Sequence, residues 1–246
     1  MRLKVLACKV LYRELGLLSA RCPNFLDITY LRQGFHDEPQ RLQAVLQAEI
    51  DKIAAGDDPY SCDPKMGEFD AICLAYGLCS NGIVGIKSDM YPIVIPRAHD
   101  CISLFLGSKE RYRDYFDAHP GTFWYTKGWV ENTMMPGTDY YKYYYDLYKE
   151  TYGEENADFL AEENLRWLKD YNMAAYISMP GIDDLDIAEK TKESAAHLQW
   201  QYDELTGSYS LLSDMLSGNW DKERFLVVPP GSSVTPSYDD LIVKEI

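Results

Sequence analysis

Two periodicities alternate along the first third of the chain. Residues 3–7 form a dense apolar run broken only by Lys4, which predicts a first strand. A short helix carrying Tyr12, Glu14 and Leu17 follows, and a second strand covers Phe25–Leu31. From Pro39 to Ala55 the residues Leu42, Val45, Leu46, Ile50 and Ile53 recur at helical spacing, and Gly56 supplies the stop, so an amphipathic helix is expected. Residues 69–76 and 92–96 are short apolar segments of the kind that fill a sheet covered on both faces. Strands separated by helices imply a parallel sheet.

The second half repeats this logic. An aromatic strand is expected at Thr122–Thr126, a tyrosine-rich helix over residues 139–152, and a further helix over residues 154–170 with Ala157, Leu160, Ala161, Leu165 and Leu168 on one face. Strands return at residues 174–178 and Phe225–Val228, separated by a long helix through Ala188, Ala195, Leu198, Tyr202 and Leu205. Each of these strands runs into Pro-Gly, at Pro180-Gly181 and Pro230-Gly231, with Asp183 or Ser232-Ser233 as candidate helix caps. No Gly/Ser-rich linker interrupts the chain. The expectation is a single α/β domain over residues 1–246, Rossmann-like, with a mostly parallel sheet and helices on both faces. Two similar lobes, 1–119 and 120–246, joined near Pro120-Gly121, are the alternative.

Composition narrows the function classes. A chain of 246 residues can bury a core without disulfides or metals to stabilise it. Its net charge of -15, from 24 basic and 39 acidic residues, opposes binding to nucleic acid and to anionic lipid. No apolar run is long enough to span a membrane. The first residues place Lys4 inside the only early apolar run with no small-residue cleavage site after it, so a strand is expected there, not a signal peptide. The six cysteines, irregularly spaced, are then expected to be reduced thiols, available for metal binding or catalysis or packed in the core.

In a parallel sheet, ligands bind beyond the carboxyl ends of the strands. Three segments fall there: Cys8 after the first strand, Gly77-Leu78-Cys79-Ser80-Asn81-Gly82 after the third, and Arg97-Ala98-His99-Asp100-Cys101 after the fourth, opening a helix. Cys79, His99 and Cys101 could supply thiolate and imidazole to a tetrahedral zinc, with Cys8 or Glu14 completing or adjoining the site. A helix start at Asp100 would favour a thiolate at Cys101. The competing reading makes Cys79 and Cys101 small buried apolar residues and His99 a helix cap. An iron-sulfur centre would need more sulfur ligands than can be placed.

Arg97 could anchor a carboxylate or phosphate, or pair with Asp100 or Glu14. Gly77, Ser80 and Asn81 could bring backbone and side-chain groups to a cofactor, although the glycine order fits neither a dinucleotide nor a P-loop motif. Cys73, mid-strand between Ile72 and Leu74, reads as core, and Cys22 and Cys62 as loop residues. His36, His119 and His197 lack matching partners in the sequence. Tyrosines run all around the Tyr140–Tyr152 helix, so one face is expected against a second subunit or a ligand.

At these residues the chain resembles the family known as domain of unknown function 1638. The resemblance is carried by Ala7-Cys8 with Leu11-Tyr12-Arg13-Glu14, by residues 76–82, and by residues 95–102 with Phe105-Leu106-Gly107-Ser108. Members are often encoded beside corrinoid proteins and methyltransferases. The resemblance therefore implies a cytoplasmic role in anaerobic one-carbon metabolism. The family has no settled activity to carry over, so the leading expectation is a zinc-binding protein acting in that metabolism, as an enzyme a metal-dependent methyltransferase, and the alternative is an accessory protein docking on a corrinoid protein or methyltransferase, with corrinoid held only by that partner. His99-x-Cys101 with a separate cysteine is similar, too, to the zinc ligands of methylcobalamin:thiol methyltransferases, but here Cys79 lies upstream.

Overall fold

The computed structural model describes residues 1–59, 61–182 and 185–246. In chain order it forms β1 (Arg2–Cys8), α1 (Tyr12–Ser19), β2 (Phe25–Leu31), α2 (Pro39–Ala55), β3 (Ala71–Ala75), β4 (Ile93–Pro96), α3 (Cys101–Leu106) and α4 (Lys109–Ala118). There follow β5 (Thr122–Thr126), α5 (Lys127–Asn132), α6 (Tyr140–Tyr152), α7 (Glu154–Asn164), β6 (Met173–Ser178), α8 (Leu185–Leu198), β7 (Gln201–Thr206), α9 (Ser210–Ser217), β8 (Phe225–Val228), β9 (Val234–Pro236) and β10 (Val243–Glu245). The chain is α/β with mostly parallel sheets, as the alternating periods imply. It divides into two units: residues 1–112 with 208–246, and residues 113–207.

The first unit is built on a five-stranded sheet of order β2-β1-β3-β4-β8. β1 to β4 run parallel and β8 closes the edge antiparallel. Alternation along buried strands sorts side chains to two faces. Leu6, Ile72, Leu74, Ile93 and Ile95 pack with Leu42, Leu46, Ile50 and Ile53, so α2 covers one face with the stripe its spacing announced. On the other face α9 packs on β3 and β4, with α1 against α9. Helices thus cover both faces. Arg97, directly after β4, donates through Nε to the Lys222 carbonyl at 2.8 Å and through Nη1 to the carbonyls of Leu241 and Val243, tying down the β9-β10 hairpin.

The second unit carries the parallel sheet β5-β6-β7. Tyr125, Ala174, Tyr176, Ile187, Ala188 and Ala195 form its core. Three readings of the sequence are corrected here. The helix expected through Tyr202 and Leu205 ends at Leu198, because Gln199 turns left-handed (φ 58°) and residues 201–206 then pair with β6 as a strand. The helix expected over 154–170 stops at Asn164 and continues as a tighter 3-10 turn at Arg166–Asp170. In the first unit, Ser232-Ser233 cap no helix; Ser233 pairs with Lys87 and leads into β9. Asp183, the other candidate cap, lies outside the described residues. Among the described residues no helix is long and apolar enough to cross a membrane.

Tyr140, on α6, is buried and meets the rings of Tyr144 and Trp167 edge-on. Tyr141, Tyr143 and Tyr152 are exposed.

Candidate functional site

Parallel register brings the ends of β1, β3 and β4 to one edge, since Ala7 lies opposite Ala75 and Cys73 opposite Val94. The ladder runs past β3 and β4: Leu78 N–H donates to the Ala98 carbonyl at 2.8 Å, and Cys79 N–H to the His99 carbonyl at 2.9 Å. Two loops therefore travel side by side over the edge. They cross closely enough that a Cβ on Gly77 would stand 2.6 Å from the Asp100 nitrogen and 2.9 Å from the Ala98 oxygen. Cys79, Ser80 and Asn81 all take left-handed φ values, 47°, 56° and 69°. Asparagine tolerates that region, whereas a non-glycine run of this kind is strained by about 1–3 kcal/mol per residue.

The run bends Cys79 back toward the sheet. Cys8, Tyr76 and Cys79 pack against the same apolar cluster, on the α2 face. Burial pushes the Cys79 thiol up to about 12, with Asp100 and Cys8 adding to the rise. Burial likewise raises Cys8, against the opposing pull of the Val10 and Lys9 amides. Tyr76 is 4% exposed, and its hydroxyl has no hydrogen-bond partner among the described residues. Burial holds it well above its ordinary value, and both cysteines add to that. Thus Cys8, Tyr76 and Cys79 lie within electrostatic reach of one another, and Asp100 within reach of Cys79.

Other residues expected at this site are placed differently. Asp100 caps α3 by accepting from Ile102 N–H at 3.0 Å. Burial raises its carboxyl, against hydrogen bonds from Tyr112, Ile102 and Ser103 and the charge of His99. His99 is exposed, not a cap, and Cys101 is the half-buried first residue of α3. Arg97 is committed to backbone carbonyls, so its expected pairing with Asp100 or Glu14, and its availability to an anion, give way to a structural role. Glu14 is buried in the first turn of α1, and its charge adds to the rise that burial causes at the Tyr30 hydroxyl. Ser80 and Asn81 sit exposed at the loop tip.

The six cysteines are free thiols. Among the described residues no group of three or more His, Cys, Asp or Glu side chains is disposed to hold a metal ion, so Cys8, Cys79, His99 and Cys101 are not gathered into one coordination sphere. Two working groups escaped the sequence reading. Tyr76 is the first residue beyond β3, a position as exposed to function as Cys8. Lys4 is wholly buried on β1, 2.9 Å from Asp27 and 2.7 Å from Asp58. A lysine inside an apolar strand was the available signal, but its partners come from separate segments.

The family described as Protein of unknown function (DUF1638) matches residues 30–216 of this chain. No curated protein and no solved structure matches it.

Proposed function

The chain belongs to the DUF1638 family, and on that premise we propose that it is a binding protein whose ligand sits at the carboxyl edge of β1, β3 and β4. The observation that carries this reading is the Tyr76 hydroxyl, buried within electrostatic reach of two thiols and without a hydrogen-bond partner among the described residues. Buried hydroxyls in native proteins are nearly always satisfied, and leaving one unmade costs about 1–3 kcal/mol. A ligand with one polar atom for Tyr76 and a soft or apolar body against Cys8 and Cys79 supplies what is missing. With Cys79 raised to about 12, the thiol stays protonated at neutral pH and serves as a polarisable wall, not as a nucleophile. This favours binding without turnover, and so the accessory role in corrinoid-linked methyl transfer over that of a methyltransferase. The exposed Tyr141 and Tyr143 on α6 would then serve as the face toward a corrinoid protein, a methyltransferase or a second copy.

A second reading rests on the nearness of Cys8 and Cys79. A soft cation such as zinc would displace both protons and hold the sulfurs as thiolates. The described residues do not fit a closed zinc site as they stand, because the further ligands are not gathered, and no step is derived through the metal. Purification without air, followed by elemental analysis and native mass spectrometry, separates the two. A small molecule retained by the wild type and lost in Tyr76→Phe supports the first reading. Stoichiometric zinc that is kept in Tyr76→Phe and lost in Cys8→Ser and Cys79→Ser replaces it with the second.

A further inference from the structure

We propose that a groove in the second unit, at the amino edge of β6 and β7, is a binding site for an uncharged sugar chain. The groove, of about 460 Å³, is shallow and open, and its lining includes Lys169, Tyr171, Asn172, Leu198, Gln199 and Trp200. That volume lies within the range of small-ligand sites. Its floor is aromatic. The rings of Tyr171 and Trp200 stand 5.9 Å apart at a tilt of 38°, and Phe123 meets both, at 5.3 Å and 6.0 Å. Phe123 and Trp200 also pack against the core of this unit, so the platform is held from the sheet side while both floor rings stay half-buried.

Gln199 gives the groove an observation that packing does not explain. It follows the last residue of α8, where its N–H donates to the Ala196 carbonyl at 3.3 Å and the Trp200 N–H donates to the Ala195 carbonyl at 2.8 Å. This is the helix ending that glycine makes without strain, because the residue after the helix must turn left-handed. Here a glutamine takes that turn, at φ 58°, against the steric preference of an L side chain. Yet the exposed Gln199 amide makes no hydrogen bond to the described residues, and neither do the exposed side chains of Lys169 and Asn172 or the polar atoms of Tyr171 and Trp200. The strained position thus holds up a polar group that the fold does not use, at the rim of an aromatic floor. Strain of this kind collects at functional sites.

The lining selects the ligand class. Lys169 is the one charged side chain among the described lining residues, with Asp170 next in the chain and the negative end of α8 at Leu198. Neither an anion nor a cation is favoured by that balance. Amide side chains both donate and accept, as sugar hydroxyls do, and the C–H face of a sugar ring suits an amphipathic aromatic floor. A flat base would stack on one of two tilted rings and would leave the spread of amides and the lysine largely unused. A purely apolar molecule would use none of them.

The test is a titration of the full-length protein with cellotriose, maltotriose and triacetylchitotriose, followed by amide NMR shifts. At least one is expected to shift Tyr171, Asn172, Gln199 and Trp200, with binding weakened about threefold or more in Gln199→Gly, which removes one hydrogen-bonding amide. Because glycine suits the left-handed turn, that variant should keep or raise Tm. Trp200→Phe, which leaves a ring against Phe123, should weaken binding as well. Adenine and sodium benzoate should bind less tightly than the best of the sugars. The proposal is overturned if none of the sugars shifts the groove, if adenine or benzoate binds as tightly, which would mean ring stacking or a lysine contact only, or if Gln199→Gly binds undiminished. A lowered Tm in Gln199→Gly would give that side chain a structural role and overturn it too. The groove belongs to the second unit and the Tyr76 edge to the first, so its fate is independent of the function proposed there.

Discussion

Gly77 and Asp100 pass so closely that the glycine's missing side chain is a condition of the crossing: a Cβ would lie 2.6 Å from the Asp100 nitrogen and 2.8 Å from its Cα. All the atoms it would meet are backbone, so no side chain can swing aside. Gly77→Ala is therefore expected to cost about 2–3 kcal/mol and to separate the 77–82 loop from residues 98–100. Urea unfolding gives the first quantity. Faster hydrogen exchange at the Leu78 and Cys79 amides, which donate across the crossing, reports the second.

Tyr76→Phe should leave the ligand-free protein as stable as the wild type or more so, by about 1 kcal/mol, because it removes a buried hydroxyl that the fold does not use. Thermal unfolding measures this. A loss of more than that would assign the hydroxyl a structural partner and withdraw the observation on which the binding site rests.

Cys79 is raised from 9.0 to about 12. Between those values the unfolded chain has lost the thiol proton and the folded chain keeps it, so the native state binds more protons and stability falls as pH rises through that window. Cys73, buried at mid-strand, is raised to the same extent and adds to the effect. The share of native thiolate absorbance that comes from Cys79 should therefore appear only toward about pH 12, and Cys79→Ser should remove it. Cys73→Ser should in addition lower stability by about 1–3 kcal/mol, since a hydroxyl there lacks a ready partner.

Lys4→Met should cost about 3–5 kcal/mol near neutrality by leaving Asp27 and Asp58 buried without their cation. For Asp27, burial would raise the carboxyl, but hydrogen bonds from Lys4, Cys62 and Ser61 together with the Lys4 charge bring it below 3.8. In the wild type that group's contribution is present above 3.8 and is lost as pH falls through the lower folded value. The variant reverses the slope, gaining stability as the carboxylates are protonated. Unfolding at pH 7 and pH 4 distinguishes the two.

Arg97→Lys should release the C-terminal hairpin. A lysine cannot reproduce the three carbonyl contacts made by one planar guanidinium. Exchange at the Ile242 and Val243 amides should quicken while the α2 core stays protected. An unchanged hairpin would show that β9 and β10 are held by their own pairing.

What the sequence determined by itself is what short-range pattern can encode. The spacing of Leu42, Leu46, Ile50 and Ile53, with Gly56 behind them, specifies a helix and its buried stripe, and the apolar runs around Cys73 and Val94 specify strands covered on both faces. From parallel strands it follows that Cys8, Cys79 and Asp100 share an edge. Pattern also misled where two periods coincide: Leu198, Tyr202 and Leu205 stand at helical intervals, yet a left-handed Gln199 separates helix from strand between them. Direction was beyond the sequence altogether. Whether Arg97 points to the site or to the carbonyls of Leu241 and Val243 depends on a segment about 145 residues away, and the same holds for Lys4 and Asp58. Side-chain direction is set by which distant backbone arrives alongside, and a buried charge or hydroxyl takes its role from that arrival, because its free energy depends on the partners it meets there.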